Sequence, residues 1–162
     1  MKDIRNVAPA AVKVDTGVKD PAKVAKSLSQ VLSATYELMI ATHEVHWNVE
    51  GPMFYGIHNL TEAQYTELFA AVDVLAERVR ALGHLAPMRM GALIDTQGGK
   101  MPGGAAAMLT ALKEQHEALA RLCHEAIELA EAASDPVTAD LATGRSAVHE
   151  KAAWMLRAMS AG

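Results

Sequence analysis

The sequence predicts an all-α protein that folds as a four-helix bundle with one long connection in its middle. Apolar residues make up 51% of the 162 residues and aromatic residues only 4%, a composition that favours helices over sheets. Four runs of apolar residues repeat at the helical spacing of three and four positions. Residues 84–104, which are rich in Gly and Pro, separate the second run from the third.

The first part of the chain shows no helical period. Pro9, Gly17 and Pro21 interrupt it, so we expect a mobile N-terminal arm over residues 1–21 and a single bundle domain over residues 22–160. Residues 1–26 carry six basic and three acidic side chains, a net charge of +3, and the rest of the chain carries a net charge of −7. A mildly basic arm is therefore attached to an acidic body.

The four helical runs span residues 27–49, 58–82, 108–129 and 136–158. Gly51-Pro52 ends the first run and Gly83 ends the second. Asp135 is a candidate N-cap for the fourth helix, and Pro136 fits its first turn.

The same spacing predicts which side chains face the core. Its inward positions include, on the second to fourth runs, Tyr65, Leu68, Phe69, Val72, Leu112, Gln115, Leu119, Leu141, Val148, Ala152 and Met155. Four histidines have no pattern of acidic partners beyond what chance would give, and they are interpreted as structural or surface residues: His84, His116, His124 and His149. Cys123 is interpreted as a small buried apolar residue.

The connection over residues 84–104 exceeds the usual loop length within a bundle. We therefore expect it to cross the length of the bundle and to join a parallel second and third helix. Among four-helix bundles, one long crossover is the ferritin-like arrangement.

Several classes of protein are disfavoured. Residues 1–10 lack the apolar segment of a secretory signal, and no apolar run approaches the ~18 residues of a membrane span. The single cysteine cannot form a disulfide within the chain. We expect a cytoplasmic protein with no membrane partner.

A narrow stripe of the second helix holds two pairs of candidate metal ligands. His58, Glu62, Asp73 and Glu77 fall at about 0°, 40°, 60° and 100° around the helix. Within each pair the residues are four apart, so the side chains are adjacent and can share an ion. Imidazole together with carboxylate suits iron and other first-row metals. The alternative for each residue taken singly is a solvated or salt-bridged surface group.

One chain cannot bring the two pairs together. Glu62 and Asp73 are about 16 Å apart along the helix, and the midpoint between the pairs lies near residues 67–68. If the helix meets a second copy of itself antiparallel there, the first pair of one chain faces the second pair of the other. The spacing therefore predicts two identical sites across a twofold axis, with His46 of the first helix as a further ligand.

Around these residues the sequence resembles the Dps family, the miniferritins named as DNA-binding proteins of starved cells. The resemblance covers about residues 25–158. Its motifs are HEVHWNVEGPMF at 43–54, then His58, Glu62 and Tyr65, DVLAER at 73–78, and shorter matches at 115–117, 138–141, 149–151 and 154–157.

The resemblance implies a hollow homododecamer built from twofold dimers. It implies a ferroxidase that oxidises Fe(II), preferentially with hydrogen peroxide, at sites that take two iron ions, and that stores a ferric mineral inside. Carried over by motif, the ligands are His46, His58 and Glu62 of one chain with Asp73 and Glu77 of its partner. Trp47 resembles the family's tryptophan beside the site and is a candidate catalytic residue, with ordinary packing on the first helix as the alternative.

Iron must also enter such a shell. In the family, acidic residues near the start of the last helix line threefold pores, and Asp135 and Asp140 are the candidates here, with Glu131 behind them. For Asp135 the alternative is a cap on the fourth helix.

DNA binding is the alternative function. Phosphate contacts require cations, and the acidic body repels DNA, so binding would depend on residues 1–26, multiplied over the copies in the assembly. Such a protein would be associated with the nucleoid. A third interpretation, an inert helical scaffold, requires the ligand set to be a coincidence.

Overall fold

The structure is a computed structural model of the chain that describes residues 10–87 and 103–160. Its helices are α1 (Pro21–Asn48), α2 (Phe54–Ala81), α3 (Ala105–Ala132) and α4 (Pro136–Ser160). They confirm the predicted all-α four-helix bundle. Among these four helices none is apolar over a length that would cross a membrane.

α1 begins at Pro21, earlier than the apolar spacing predicted. Asp20 caps it by accepting a hydrogen bond from the backbone N–H of Lys23 at 3.3 Å, and proline suits the first helical position because no N–H is needed there. The same Asp-Pro pair begins α4, where the prediction is confirmed: Asp135 Oδ1 accepts from the N–H of Thr138 at 3.0 Å. One local signal thus starts both helices.

Contacts between side chains give the directions of the helices. Arg78 near the end of α2 pairs with Asp135 before α4 at 2.7 Å, and a Cβ on Gly56 near the start of α2 would lie 3.4 Å from the methyl group of Met159 near the end of α4. α2 and α4 are therefore antiparallel. Since a short link also makes α3 and α4 antiparallel, α2 and α3 run parallel, as predicted for the long crossover. Residues 88–102 of that crossover lie outside the described residues.

Residues 10–20 of the predicted arm contact one end of the bundle. The N–H of Val12 donates to the carbonyl of Gly83 at 2.8 Å, and the N–H of Lys19 donates to the carbonyl of Ala133 at 2.7 Å. Gly83 has a φ of +86°, and a Cβ there would clash with the Val12 carbonyl, so this close approach requires glycine. Residues 1–9 lie outside the described part, and the extent of the arm stays a prediction.

Aliphatic side chains of all four helices form the core, and the largest of them are at most 1% exposed: Leu28, Leu38, Ile57, Leu68, Leu75, Leu112, Leu119 and Leu156. Two inward predictions are wrong. Phe69 is 66% exposed, and Gln115 is exposed while its neighbour His116 is buried. Cys123 is buried as predicted, and burial raises the pKa of its thiol to about 11.

A polar cluster lies inside the bundle where α2, α3 and α4 meet. Arg145 of α4 forms a bidentate ion pair with Glu67 of α2, and its Nη2 donates to Nε2 of His149 at 3.3 Å. Nδ1 of His149 lies 3.0 Å from Nδ1 of His116. A guanidinium only donates, so Nε2 of His149 accepts and Nδ1 of that ring carries the hydrogen. His116 therefore accepts at Nδ1 and keeps its own hydrogen on Nε2.

The imidazoles of His116 and His149 are both uncharged at neutral pH. Burial and the charge of Arg145 lower the pKa of His116 to about 4, and burial, Arg145 and His116 together lower the pKa of His149 to about 3. A histidine in an unfolded chain titrates near pH ~6.5. As the pH falls, the unfolded state consequently takes up protons before the folded state does.

We predict that mild acid destabilises the bundle through these two histidines. Because their folded pKa values are depressed, the stability they contribute is complete above about pH 6.5 and is lost as the pH falls toward their folded values. On the order of 2–4 kcal/mol should disappear between about pH 7.5 and about pH 5. Denaturant unfolding of the full-length protein at several pH values measures this loss.

The control is the double variant His116→Asn/His149→Asn, whose side-chain amides occupy the positions of Nδ1 but do not titrate. Its free energy of unfolding should depend less steeply on pH than that of the wild type. If the free energy of unfolding depended equally steeply on pH in the variant and the wild type, the acid sensitivity would lie elsewhere in the protein.

Candidate metal centre

His46 near the end of α1 and His58 in the first turns of α2 meet across the short link between the two helices. Their rings stack with centroids 3.7 Å apart. Nδ1 of His46 donates to the backbone carbonyl of His58 at 2.9 Å, and Nδ1 of His58 donates to the carbonyl of His46 at 2.9 Å. Since a carbonyl only accepts, each ring carries a hydrogen on Nδ1, which leaves Nε2 as the atom for a metal. Both rings are thus held in the tautomer that binds a metal through Nε2.

Thr61 and Tyr65 of α2 support His46. The Thr61 hydroxyl lies 3.3 Å from Nδ1 of His46 and donates to the carbonyl of Ile57 at 2.8 Å. The Tyr65 ring meets His46 edge-on, with centroids 5.1 Å apart. Sequence reasoning did not assign Thr61; the available signal was its position one turn after His58 on the same helix.

A row of stacked rings extends from this pair to the surface. His43 stacks on Tyr65 with centroids 4.0 Å apart and on Trp47 with centroids 5.2 Å apart. Burial and the neighbouring His46 lower the pKa of His43, which favours its neutral form between the two rings. Trp47 is 69% exposed, so it packs on α1 through His43 and leaves most of its indole on the outside.

The three predicted carboxylate ligands, Glu62, Asp73 and Glu77, are exposed on one stripe of α2. Along the helix, Asp73 lies about 22 Å from His58. Over residues 10–87 and 103–160, no three His, Cys, Asp or Glu side chains come close enough to hold a metal ion. The fold therefore brings His46 and His58 together and leaves the pair of Asp73 and Glu77 separate from them.

Phe69 lies between the two groups of candidate ligands, on the exposed stripe. A groove of about 620 Å³ beside it is lined by Leu32, Tyr36 and Asp73, among others. Phe69 and the apolar lining of this groove together form an exposed patch, which is typical of a surface that contacts another protein. The prediction that Phe69 faces the core was wrong, because apolar periodicity alone does not distinguish a core position from an exposed apolar one.

Known proteins are similar to this chain over the part that forms the four helices. Residues 25–161 match the family model described as the ferritin-like domain. A DNA protection during starvation protein from Agrobacterium fabrum is 33% identical, over 81% of this chain and 83% of its own length. The chain belongs to the Dps family of miniferritins.

Two further similarities extend over most of the molecule. A low temperature-induced protein from Nostoc sp. is 34% identical, over 93% of this chain and 88% of its own. The crystal structure of a Dps protein from Bacillus brevis superposes with a TM-score of 0.78 at 31% identity, covering 86% of this chain and 95% of the other. The four-helix bundle is accordingly the ferritin-like fold of Dps proteins.

The two candidates for a pore have different surroundings. Asp135 is fully buried: Arg78 donates to its Oδ1 at 2.7 Å, and the hydroxyl of Thr138 donates to its Oδ2 at 2.6 Å. Burial alone would raise the pKa of Asp135, but the bonds from Thr138 and the charge of Arg78 lower it below its ordinary value. This geometry favours the cap over the pore for Asp135. Asp140 is exposed and stays the candidate for a pore.

We predict that Asp135→Ala lowers the free energy of unfolding by about 3–5 kcal/mol, because it removes the α4 cap and leaves the largely buried charge of Arg78 unpaired. Chemical denaturation measures the change. Asp140→Ala, on the exposed side of the same helix, is the matched control and should change stability by no more than about 0.5 kcal/mol. Similar losses in the two variants would contradict the structural role of Asp135.

Proposed function

We propose that this Dps protein is a ferroxidase and iron store that oxidises Fe(II), preferentially with hydrogen peroxide, at sites shared by twofold-related subunits. Its family supports iron storage and DNA protection in general. The observation that carries the proposal is the reciprocal hydrogen bonding of His46 and His58, which prepares two Nε2 ligands. The carboxylates of Asp73 and Glu77 lie too far along α2 from His58 to complete a site within one chain.

A second copy of the chain supplies the missing carboxylates in this proposal. If two α2 helices meet antiparallel near residues 67–68, then His46, His58 and Glu62 of one chain face Asp73 and Glu77 of the other, and two identical sites result. The exposed ring of Phe69 and the groove beside it lie on the face that would be covered. A closed dodecamer assembled from such dimers would enclose the mineral.

Two Fe(II) ions are the substrates at each proposed site. Each ion gives one electron to hydrogen peroxide, so that one peroxide and two protons become two water molecules while both ions become Fe(III). Because both electrons arrive together, the O–O bond breaks without releasing a hydroxyl radical. The three carboxylates offset the rising charge of the ions, and the imidazoles complete a mixed nitrogen and oxygen shell.

Two further residues have proposed roles around this site. Trp47 would take up single oxidising equivalents that escape the two-electron route, and its stacking on His43, which stacks on Tyr65, supports this role. Asp140, with Glu131 nearby in sequence, would draw Fe(II) toward a threefold entrance in a cytoplasmic shell. Both acidic side chains are exposed.

Mixing two inactive variants tests the shared site. The first variant, His58→Ala/Glu62→Ala, keeps only the carboxylate half, and the second, Asp73→Ala/Glu77→Ala, keeps only the histidine half. We predict that each assembly alone oxidises Fe(II) slowly when peroxide is added anaerobically, as followed by ferric absorbance. After unfolding and refolding the two together, about a quarter of the sites should combine two intact halves, so about a quarter of the wild-type rate should return.

The matched control refolds each variant with itself, so that recovery caused by refolding is excluded. Recovery in the mixture alone supports a site made by two subunits. If each variant alone oxidised Fe(II) at the wild-type rate, the substituted residues would not form the ferroxidase site. Slow rates that mixing does not restore would place the complete site within one chain.

DNA binding is a second candidate function, which the net charge of +3 on residues 1–26 favours. We predict that Lys2→Gln/Arg5→Gln/Lys13→Gln weakens DNA binding and makes it less dependent on salt, because each lost phosphate contact reduces the slope of log K against log salt by about 0.9. Gel shifts at several salt concentrations measure this. The substitutions keep the backbone bond between Val12 and Gly83.

The control for DNA binding removes three cations from the body of the protein instead: Lys113→Gln/Arg121→Gln/Arg157→Gln. Binding that responds to the arm and not to these positions identifies the arm as the DNA contact. If the arm variant shifted DNA as the wild type does, the arm would be excluded as the DNA contact.

A further inference from the structure

A pocket of about 270 Å³ opens between α2 and α4, next to the polar cluster of the core. Most of its wall is apolar and comes from Leu60, Ala63, Val148, Ala152 and Met155. Gln64, Glu67, His116 and Lys151 complete the lining. On α2 the pocket lies on the opposite side from the exposed ligand stripe, since Gln64 is about 200° around the helix from Glu62. It is therefore separate from the proposed ferroxidase site.

Buried polar atoms without a partner line this pocket. Gln64 is 9% exposed and His116 is 1% exposed. Nε2 of His116 and both amide atoms of Gln64 have no hydrogen-bond partner among the described residues. Since His116 accepts at Nδ1 from His149, its Nε2–H is an unused donor. Buried polar groups are nearly always paired, so a partner from outside the chain is indicated.

The charges around the pocket favour an anion. Two charged side chains line the pocket, Glu67 and Lys151. Glu67 is already paired with Arg145 of the polar cluster, which does not itself line the pocket. The two imidazoles of the cluster are neutral, so one positive charge is left over. The unused Nε2–H of His116 and the amide N–H of Gln64 are both donors, and they suit the oxygens of a carboxylate.

We propose that this pocket binds a small monocarboxylate with a short apolar body. Its carboxylate accepts from His116 and Gln64 and balances the excess positive charge, while its body packs against the aliphatic wall of α2 and α4. The volume is just below the usual range of ligand pockets, about 300–1,000 Å³, which limits the ligand to a short chain. Water could pair the polar atoms, but it would leave the apolar wall hydrated.

Hexanoate is the probe, titrated by calorimetry into the assembled full-length protein. Two ligands with the same chain length serve as comparisons: 1-hexanol, which has no charge, and hexylammonium, which has the opposite charge. We expect one hexanoate per subunit, with hexanol at least about tenfold weaker because it lacks charge-assisted hydrogen bonds, and no binding of hexylammonium. Hexanol as tight as hexanoate, or no heat with hexanoate, would overturn the proposal.

Two substitutions locate the site. Gln64→Met removes the amide at nearly constant volume and should weaken hexanoate binding about tenfold or more. It should not lower the melting temperature of the unliganded protein, because the amide loses no partner. Ala63→Leu narrows the pocket from its exposed rim and should also weaken binding. The control is Gln115→Met, an exposed position on α3, which should bind like the wild type.

Unchanged hexanoate affinity in both Gln64→Met and Ala63→Leu would place the binding elsewhere and overturn the proposal. Equal weakening in Gln115→Met would do so as well, since that side chain does not line the pocket.

Discussion

Two arginine–carboxylate pairs join α2 to α4 and fix the rotation of α2 in the bundle. Arg145 holds Glu67 at the middle of the helix, and Arg78 holds Asp135 near its end. Close packing of backbones joins α1 with α2, α3 with α4 and α1 with α3. The backbones of α2 and α4 lie farther apart, and these long side chains bridge them. Arg145 and Asp135 are the buried members of these pairs. Removing the partner of either would leave its charge uncompensated, so other rotations of α2 are disfavoured.

The fixed rotation of α2 gives its sides different chemical roles. The buried side adds Leu68 and Leu75 to the core, and the side toward α4 carries Gln64 and Glu67 beside a pocket. The outer stripe carries acidic side chains and Phe69, which the single chain leaves exposed. In the proposed dimer, the bonds that orient α2 inside one subunit also align its stripe with that of the second copy.

The sequence predicted the number of helices and their order, because periodicity and spacing are local properties. The two pairs of candidate ligands on α2 stay a prediction. The sequence did not predict the two reciprocal hydrogen bonds in which each ring, His46 and His58, donates to the backbone carbonyl of the other residue. These bonds depend on how the link between α1 and α2 turns. The sequence also assigned Gln115 inward and left open whether His116 is a structural or a surface residue, whereas His116 is the buried one. Apolar patterns miss a core face made polar by Arg145 and His149, since those residues are stabilised by each other rather than by apolar neighbours.

The proposed division of the ligands along α2 would determine when Fe(II) is oxidised. In the proposed arrangement a free subunit holds His46 and His58 ready but has no carboxylate pair beside them, so it binds Fe(II) weakly and oxidises it slowly. Assembly completes the site and at the same time encloses the space that receives the ferric product. Fe(III) is sparingly soluble at neutral pH, so a site that works only after assembly confines its product to the shell. In this proposal, activity depends on assembly because the two halves of the site are about 22 Å apart along one helix.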